Sequence, residues 1–209
     1  NLDLSAEWYF SENAVLQAAI FYKDIDDFIV RVVSEDFNYN GIFVDEGVFP
    51  INGDSADVTG IELNFQQAMT GLPAPFDGLL FAANYTYVDS EGEFGDRSIN
   101  LPGTSEQVLN LILGYEKGPI SVRLGWSYRD EYLDEVSEDG ENDIYVDDNG
   151  SLDLSVKYNV SDSTQVFLEA INITDEPRVG YFDTADYGER AIQYEEYSFT
   201  VNVGVRATF

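Results

Sequence analysis

Hydrophobic and polar residues alternate in blocks along most of this chain. A period of two places successive side chains on opposite faces of a strand. The cleanest block runs Ile120, Val122, Leu124, Trp126 and Tyr128 against Ser121, Arg123, Gly125, Ser127 and Arg129. The final block, Tyr197 to Phe209, is as regular. Ser198, Thr200, Asn202, Gly204, Arg206 and Thr208 fall on one face, and Phe199, Val201, Val203, Val205, Ala207 and Phe209 on the other. The same reading predicts strands over Leu2–Phe10, Ala14 to about Val30, about Ala56–Met69, Leu79–Tyr87, Gln107–Glu116, Ser151–Tyr158 and Thr164–Ile173. The last of these breaks the rule, because Phe167 and Ile171 share the polar face with Glu169.

The connections between these nine strands alternate in length. Ser11–Asn13, Thr70–Gly78, Glu116–Pro119 and Asn159–Ser163 are short. Long connections start at Arg31, Asp89, Asp130 and Thr174 and read as loops, the first punctuated by Gly41, Gly47 and Pro50. They hold 23 of the 40 acids, and Asp130–Asn149 has ten acids and no base, which predicts a solvated loop. A soluble Greek-key sandwich has no reason to sort its connections this way. A transmembrane β-barrel does: short periplasmic turns alternate with long extracellular loops. The apolar face of the clean blocks carries no charge, as expected where one charge at mid-bilayer costs ~2–4 kcal/mol. The polar face is rich in Ser, Thr, Asn, Gln and Gly, which suits a lumen. The fold expected is all-β, an antiparallel transmembrane β-barrel. Nine is odd and a closed antiparallel barrel is even, so we expect the C-terminal strands of a larger barrel.

Composition narrows the chemistry. The chain is 44% hydrophobic, enough to fold, but has no run of 18 apolar residues and so no transmembrane helix. No cysteine excludes disulfides and thiolates; no histidine excludes His-based zinc sites and Ser-His or Cys-His catalysis. Net charge is −30, which excludes nucleic acid as a partner. It is compatible with anionic lipopolysaccharide bridged by divalent cations, and equally with simple solubility in a salty habitat. The chain begins at Asn1 with no signal peptide, so a cleaved leader or a longer parent is expected.

The C-terminal block resembles the assembly signal of bacterial outer-membrane barrels, with Asn202, Gly204, Ala207 and Phe209 in its places. This implies that the barrel-assembly machinery reads the last strand, and that deleting Phe209 lowers insertion. The whole chain resembles the C-terminal region of TonB-dependent receptors. The likeness is carried in order by NLDLSAEWYFSENAVLQAAIFYKDIDDFI, VTGIELNFQQ, LPAPFDGLLFAANYTYVDSEG, LPGTSEQVLNLILGYEKGPISVRLGWSYR and LEAINITDEP. The resemblance implies a 22-stranded barrel of which residues 1–209 are one C-terminal portion, with the plug domain and earlier strands absent. It implies location in the outer membrane of a Gram-negative cell, in contact with lipid and lipopolysaccharide. The function implied is active uptake of a scarce nutrient, with the TonB complex acting through the missing N-terminal part.

The family's ligands include ferric siderophores, haem, cobalamin and oligosaccharides. The acidic connections do not suit electrostatic capture of an anion, which tilts the reading toward a neutral oligosaccharide over a ferric siderophore. Candidate ligand contacts are aromatic residues of the long connections, Tyr39, Phe43, Tyr132, Tyr145, Tyr181 and Tyr187, whose rings can stack on sugars or catechols; loop anchoring is the plainer role for each. Asp139–Asp143 and Asp147–Asp153 are dense in oxygen ligands, with Gly140 and Gly150, yet neither has the spacing of a twelve-residue EF-hand loop. Loose Ca²⁺ binding is the sharper reading and a solvated acidic loop the favoured one; no other cofactor is expected. No enzyme is expected, since nothing fixes two carboxylates at a working distance. The rival readings are a passive porin or structural outer-membrane barrel and, third, a soluble β-sandwich adhesin.

Overall fold

A computed structural model gives the fold, describing residues 1–137, 140, 142–184 and 188–208, with the side chains at 35–37, 39 and 46 outside the description. Alternation and turn chemistry produce the strands in chain order. They are β1 (Leu2–Ser11), β2 (Ala14–Asp26), β3 (Ile29–Tyr39), β4 (Ile42–Asn52), β5 (Ser55–Ala68), β6 (Leu79–Phe94), β7 (Arg97–Ile99) and β8 (Gln107–Lys117). There follow β9 (Ile120–Arg129), β10 (Tyr132–Ser137), β11 (Ile144–Val146), β12 (Asn149–Ser161), β13 (Thr164–Ile171), β14 (Arg178–Thr184), β15 (Gly188–Glu195) and β16 (Thr200–Ala207). One 3₁₀ turn, Phe76–Gly78, precedes β6, and among the described residues no helix is long and apolar enough to cross a membrane.

Nine long strands form an antiparallel wall in the order β1-β2-β5-β6-β8-β9-β12-β13-β16, with β7 attached to β6. These are the nine strands that the alternation predicts. Each pairs with its neighbour in sequence among the nine, an up-and-down meander with none of the crossovers of a Greek-key sandwich. Cross-strand register carries the two faces across the wall. Trp8, Leu16, Phe65, Ala83, Leu111, Trp126 and Leu152 stand opposite one another on successive strands. On the other face Glu7, Gln17, Asn64, Asn84, Asn110, Ser127 and Ser151 do the same. The Gln17 amide donates to Glu7 (3.1 Å) and the Asn64 amide to Gln17 (2.6 Å). The apolar face is open: Leu113 is 52% and Val203 76% exposed.

Two strands end earlier than alternation predicts. Strand β2 stops at Asp26 rather than near Val30, because Asp27 takes a left-handed conformation (φ 56°). Strand β13 stops at Ile171 because Asn172 does the same (φ 54°). Asp and Asn are the non-glycine residues that tolerate this region best.

The larger correction concerns the long connections, which are strands rather than irregular loops. The first (27–54, between β2 and β5) is the β3–β4 hairpin; the third (130–148) carries β10 and β11; the fourth (172–199) carries β14 and β15. Together they build a second sheet in the order β15-β14-β11-β10-β3-β4. Its joints lie between connections. Strand β10 runs parallel to β3 (Val136 opposite Val32), and β11 runs antiparallel to β14 (Tyr145 opposite Tyr181). The second connection (95–106) joins through the Gly103 amide, which donates to the Leu133 carbonyl (2.7 Å).

The main apolar core sits here, against the end of the wall. Phe28, Val30 and Val32 pack with Ala56, with Ile99 of the second connection, and with Leu133 and Val136 of the third. Leu133 is only 2% exposed. The segment richest in acid therefore supplies core residues. Within it Leu133, Val136 and Val146 are buried, while Asp130, Glu131, Asp134, Glu135, Asp147 and Asp148 keep contact with solvent.

Candidate ligand site at the end of the wall

The polar face of the wall meets the second sheet at a cavity of about 430 Å³. Arg129, at the end of β9, stands opposite Asn149 on β12. Its guanidinium donates to the Ser105 hydroxyl (2.6 Å) and the Gly103 carbonyl (2.6 Å). The ring of Tyr132 covers it, 3.9 Å from guanidinium carbon to ring centroid, within cation–π range. Arg178, at the start of β14, approaches from the fourth connection. The Tyr132 hydroxyl foremost, then the Asp134 and Glu195 carboxylates, raise its pKa against the opposing effect of burial. Tyr132 thus bridges two guanidinium groups. In a chain with 10 bases among 40 acids, two of the bases meet at one ring beside this cavity.

Asn172 shapes the opposite side. Its carbonyl oxygen accepts from the Glu176 amide (3.0 Å), its NH₂ donates to the Glu176 carbonyl (3.1 Å), and its backbone N–H donates to Asp153 (2.8 Å). The Asn149 side chain donates to the Pro177 carbonyl (3.3 Å). These bonds pin the fourth connection to the wall and hold Glu176 at the cavity, which Tyr197 and Asp147 also line. The four charged groups lining the cavity balance, two guanidiniums against two carboxylates. Next to it, Asp148 has a raised pKa, chiefly from burial and then from repulsion by Asp147, Asp130 and Glu131. The lining offers guanidiniums, amides, hydroxyls and flat rings, the chemistry of binding a polar ligand.

Of the aromatic residues singled out in the sequence, Tyr132 lines the cavity. Tyr145 and Tyr181 stack on each other nearby, with centroids 5.7 Å apart and planes 19° apart. Tyr181 is 7% exposed and donates its hydroxyl to Glu131 (2.6 Å). Burial first, then that bond, push its pKa far up, so it stays protonated. Phe43 lies apart, exposed on β4 at the far edge of the second sheet. Tyr39 pairs with Ile42 across the same hairpin, its side chain outside the description, and Tyr187 lies outside the described residues. Asn202, Gly204 and Ala207 stand opposite Glu169, Phe167 and Thr164; Phe209 lies outside the described residues.

The sequence reading did not single out Arg129, Arg178, Asn172 or Tyr197 as site residues. The only signal was Arg129, a base closing the polar face of a strand. Among the described residues no three acidic groups converge as metal ligands. Asp143 is instead paired with Arg97, and Asp139 lies outside the described residues.

Residues 1–173 match the family described as TonB dependent receptor-like, beta-barrel. No curated protein matches the chain. Among solved structures, the chain is similar to the siderophore receptor PiuA from Acinetobacter baumannii (TM-score 0.62, 19% identity, 98% of this chain and 28% of that one). It is also similar to the ferric-catecholate import receptor Fiu from Escherichia coli K12 (0.64, 19%, 99% and 27%). A third is the FrpB iron transporter from Neisseria meningitidis (0.61, 13%, 99% and 30%). The chain spans less than a third of the length of each.

Proposed function

The chain belongs to the TonB-dependent receptor-like β-barrel family, and from that premise we propose that its parent protein takes up a scarce nutrient across a bacterial outer membrane, driven by the TonB complex. The wall then spans the membrane. Its apolar face meets lipid, the short turns face the periplasm, and the second sheet stands outside beside lipopolysaccharide. TonB acts through a part of the protein that this chain does not contain, and the barrel-assembly machinery inserts the wall.

The observation that carries the binding reading is Tyr132 between Arg129 and Arg178 at the cavity. Two guanidiniums held around an aromatic ring fit a ligand with flat rings and anionic oxygens, which supports a ferric siderophore. PiuA is a siderophore receptor and Fiu a ferric-catecholate import receptor, which points the same way. The balanced charge of the lining favours a second reading, an uncharged oligosaccharide held by amides and stacked on tyrosines. The full-length receptor in detergent, titrated with ferric catecholates, ferric hydroxamates and neutral oligosaccharides, separates the two. Saturable binding of a ferric complex, weakened roughly 10–100-fold by Arg178→Ala or Tyr132→Ala, is expected. Binding of every compound unaffected by both substitutions would remove the cavity from the account.

A further inference from the structure

The third long connection, with its ten acids and no base, receives one arginine from each of the other three. Arg31 on β3 reaches Glu135 at 3.2 Å, and Arg178 on β14 lies 3.9 Å from Asp134. Both pairs are partly exposed and each contributes little. The pair between Arg97 on β7 and Asp143 is different. Asp143 is 6% exposed and also accepts from the Ser137 backbone N–H (2.9 Å) and hydroxyl (3.2 Å). Arg97 also donates to the Ser137 carbonyl (3.2 Å). Its guanidinium packs against Gly140, where a β-carbon would come within 2.6 Å of Arg97 Cζ. Gly140 has φ 77°, a left-handed conformation that favours glycine, and the lack of a β-carbon lets the guanidinium approach.

A buried charge deprived of its partner is far more costly than an exposed one. The same connection shares its backbone pairing with β3 and β14 and its side chains Leu133 and Val136 with the core. We propose that the acidic third connection is the hub of a single cap, and that the Arg97–Asp143 pair is the latch that makes all four long connections open and close as one cooperative body. The local composition that reads as a solvated loop is then a socket for arginines brought in by its neighbours. The inference does not depend on the ligand or on the transport reading.

Amide hydrogen exchange on the full-length receptor in detergent tests it. In Arg97→Ala, exchange in β3, β11 and β14 rises together, on the order of a hundredfold, while β8 and β9 in the wall keep their wild-type rates. Gly140→Ala retains both charges but displaces the guanidinium, and is expected to loosen the same three strands. Faster exchange confined to β7 and the residues around Ser137 would overturn the proposal, since the pair would then be a local contact. Should Arg97→Ala not reach the membrane, wild-type protein in graded urea decides the same point. Peptides from β3, β11 and β14 losing protection at one urea concentration support a single cap, and separate midpoints refute it.

Discussion

The ring of Phe167 fills the space over Gly204, its partner on the neighbouring strand. Phe167 is one of the two residues, with Ile171, that break the alternation of β13 by standing on the polar face, and Gly204 is the gap in β16. Phe21 and Gly60 repeat the arrangement between β2 and β5. An aromatic ring laid over a cross-strand glycine shields exposed backbone and pins the register. Gly204→Val should therefore cost about 1–3 kcal/mol by forcing the ring aside. The heat-modifiable fraction on gels of the inserted receptor should fall, and adding Phe167→Ala should restore part of it. Equal losses in the single and double variants would mean that the ring and the glycine are unrelated.

The core lies in the cap, so truncation should be felt there and not in the wall. Leu133→Ala, at a 2% exposed position, should destabilise the cap by ~2–5 kcal/mol. Leu113→Ala, on the open apolar face, should leave cap stability unchanged. Hydrogen exchange in β10 and β3, compared between the two variants, checks this.

The hydroxyl of Tyr181 holds Glu131, the residue before Tyr132. Tyr181→Phe removes one hydrogen bond to a charged acceptor and keeps the stack on Tyr145. The expected loss is about 1–2 kcal/mol of cap stability, with the Tyr132–Arg129 contact loosened. Thermal melting followed by near-ultraviolet circular dichroism reads the loss directly, because the stacked tyrosines report on it.

Asp148 has a pKa raised in the fold, so its charged form is disfavoured there relative to the unfolded chain. Its contribution to stability is complete below the ordinary carboxylate value of 3.8 and is lost as pH rises through the higher folded value. Asp148→Asn should therefore melt above wild type at neutral pH, with the two curves converging under acid. A melting temperature below wild type at neutral pH would show that the carboxylate is stabilising.

The wall was legible because each of its strands carries its own period of two, and register simply carries that period from one strand to the next. The cap was not, because its pairings are distant in sequence. Val136 finds Val32, and Tyr145 finds Tyr181, only once the wall has brought the connections to one end. Acid content hid the apolar positions Leu133, Val136 and Val146, and the arginines that pair with three of its acids come from other connections. Phe167 looked like an irregularity until its partner glycine was placed. Tyr132 was legible as an exposed-type aromatic, but the two guanidiniums around it belong to a strand end and to a connection more than forty residues on, and no local pattern joins them.

The central claim is energised uptake. Its most direct test uses cells carrying the full-length receptor and, in radiolabelled form, the compound that binds it most tightly among the ferric siderophores and oligosaccharides. Uptake is followed with and without a protonophore, and in cells lacking TonB. Accumulation above the external concentration, lost in both treatments while surface binding persists, is the predicted result. Entry that only equilibrates and continues without proton-motive force or TonB would contradict the account and make this barrel a passive pore.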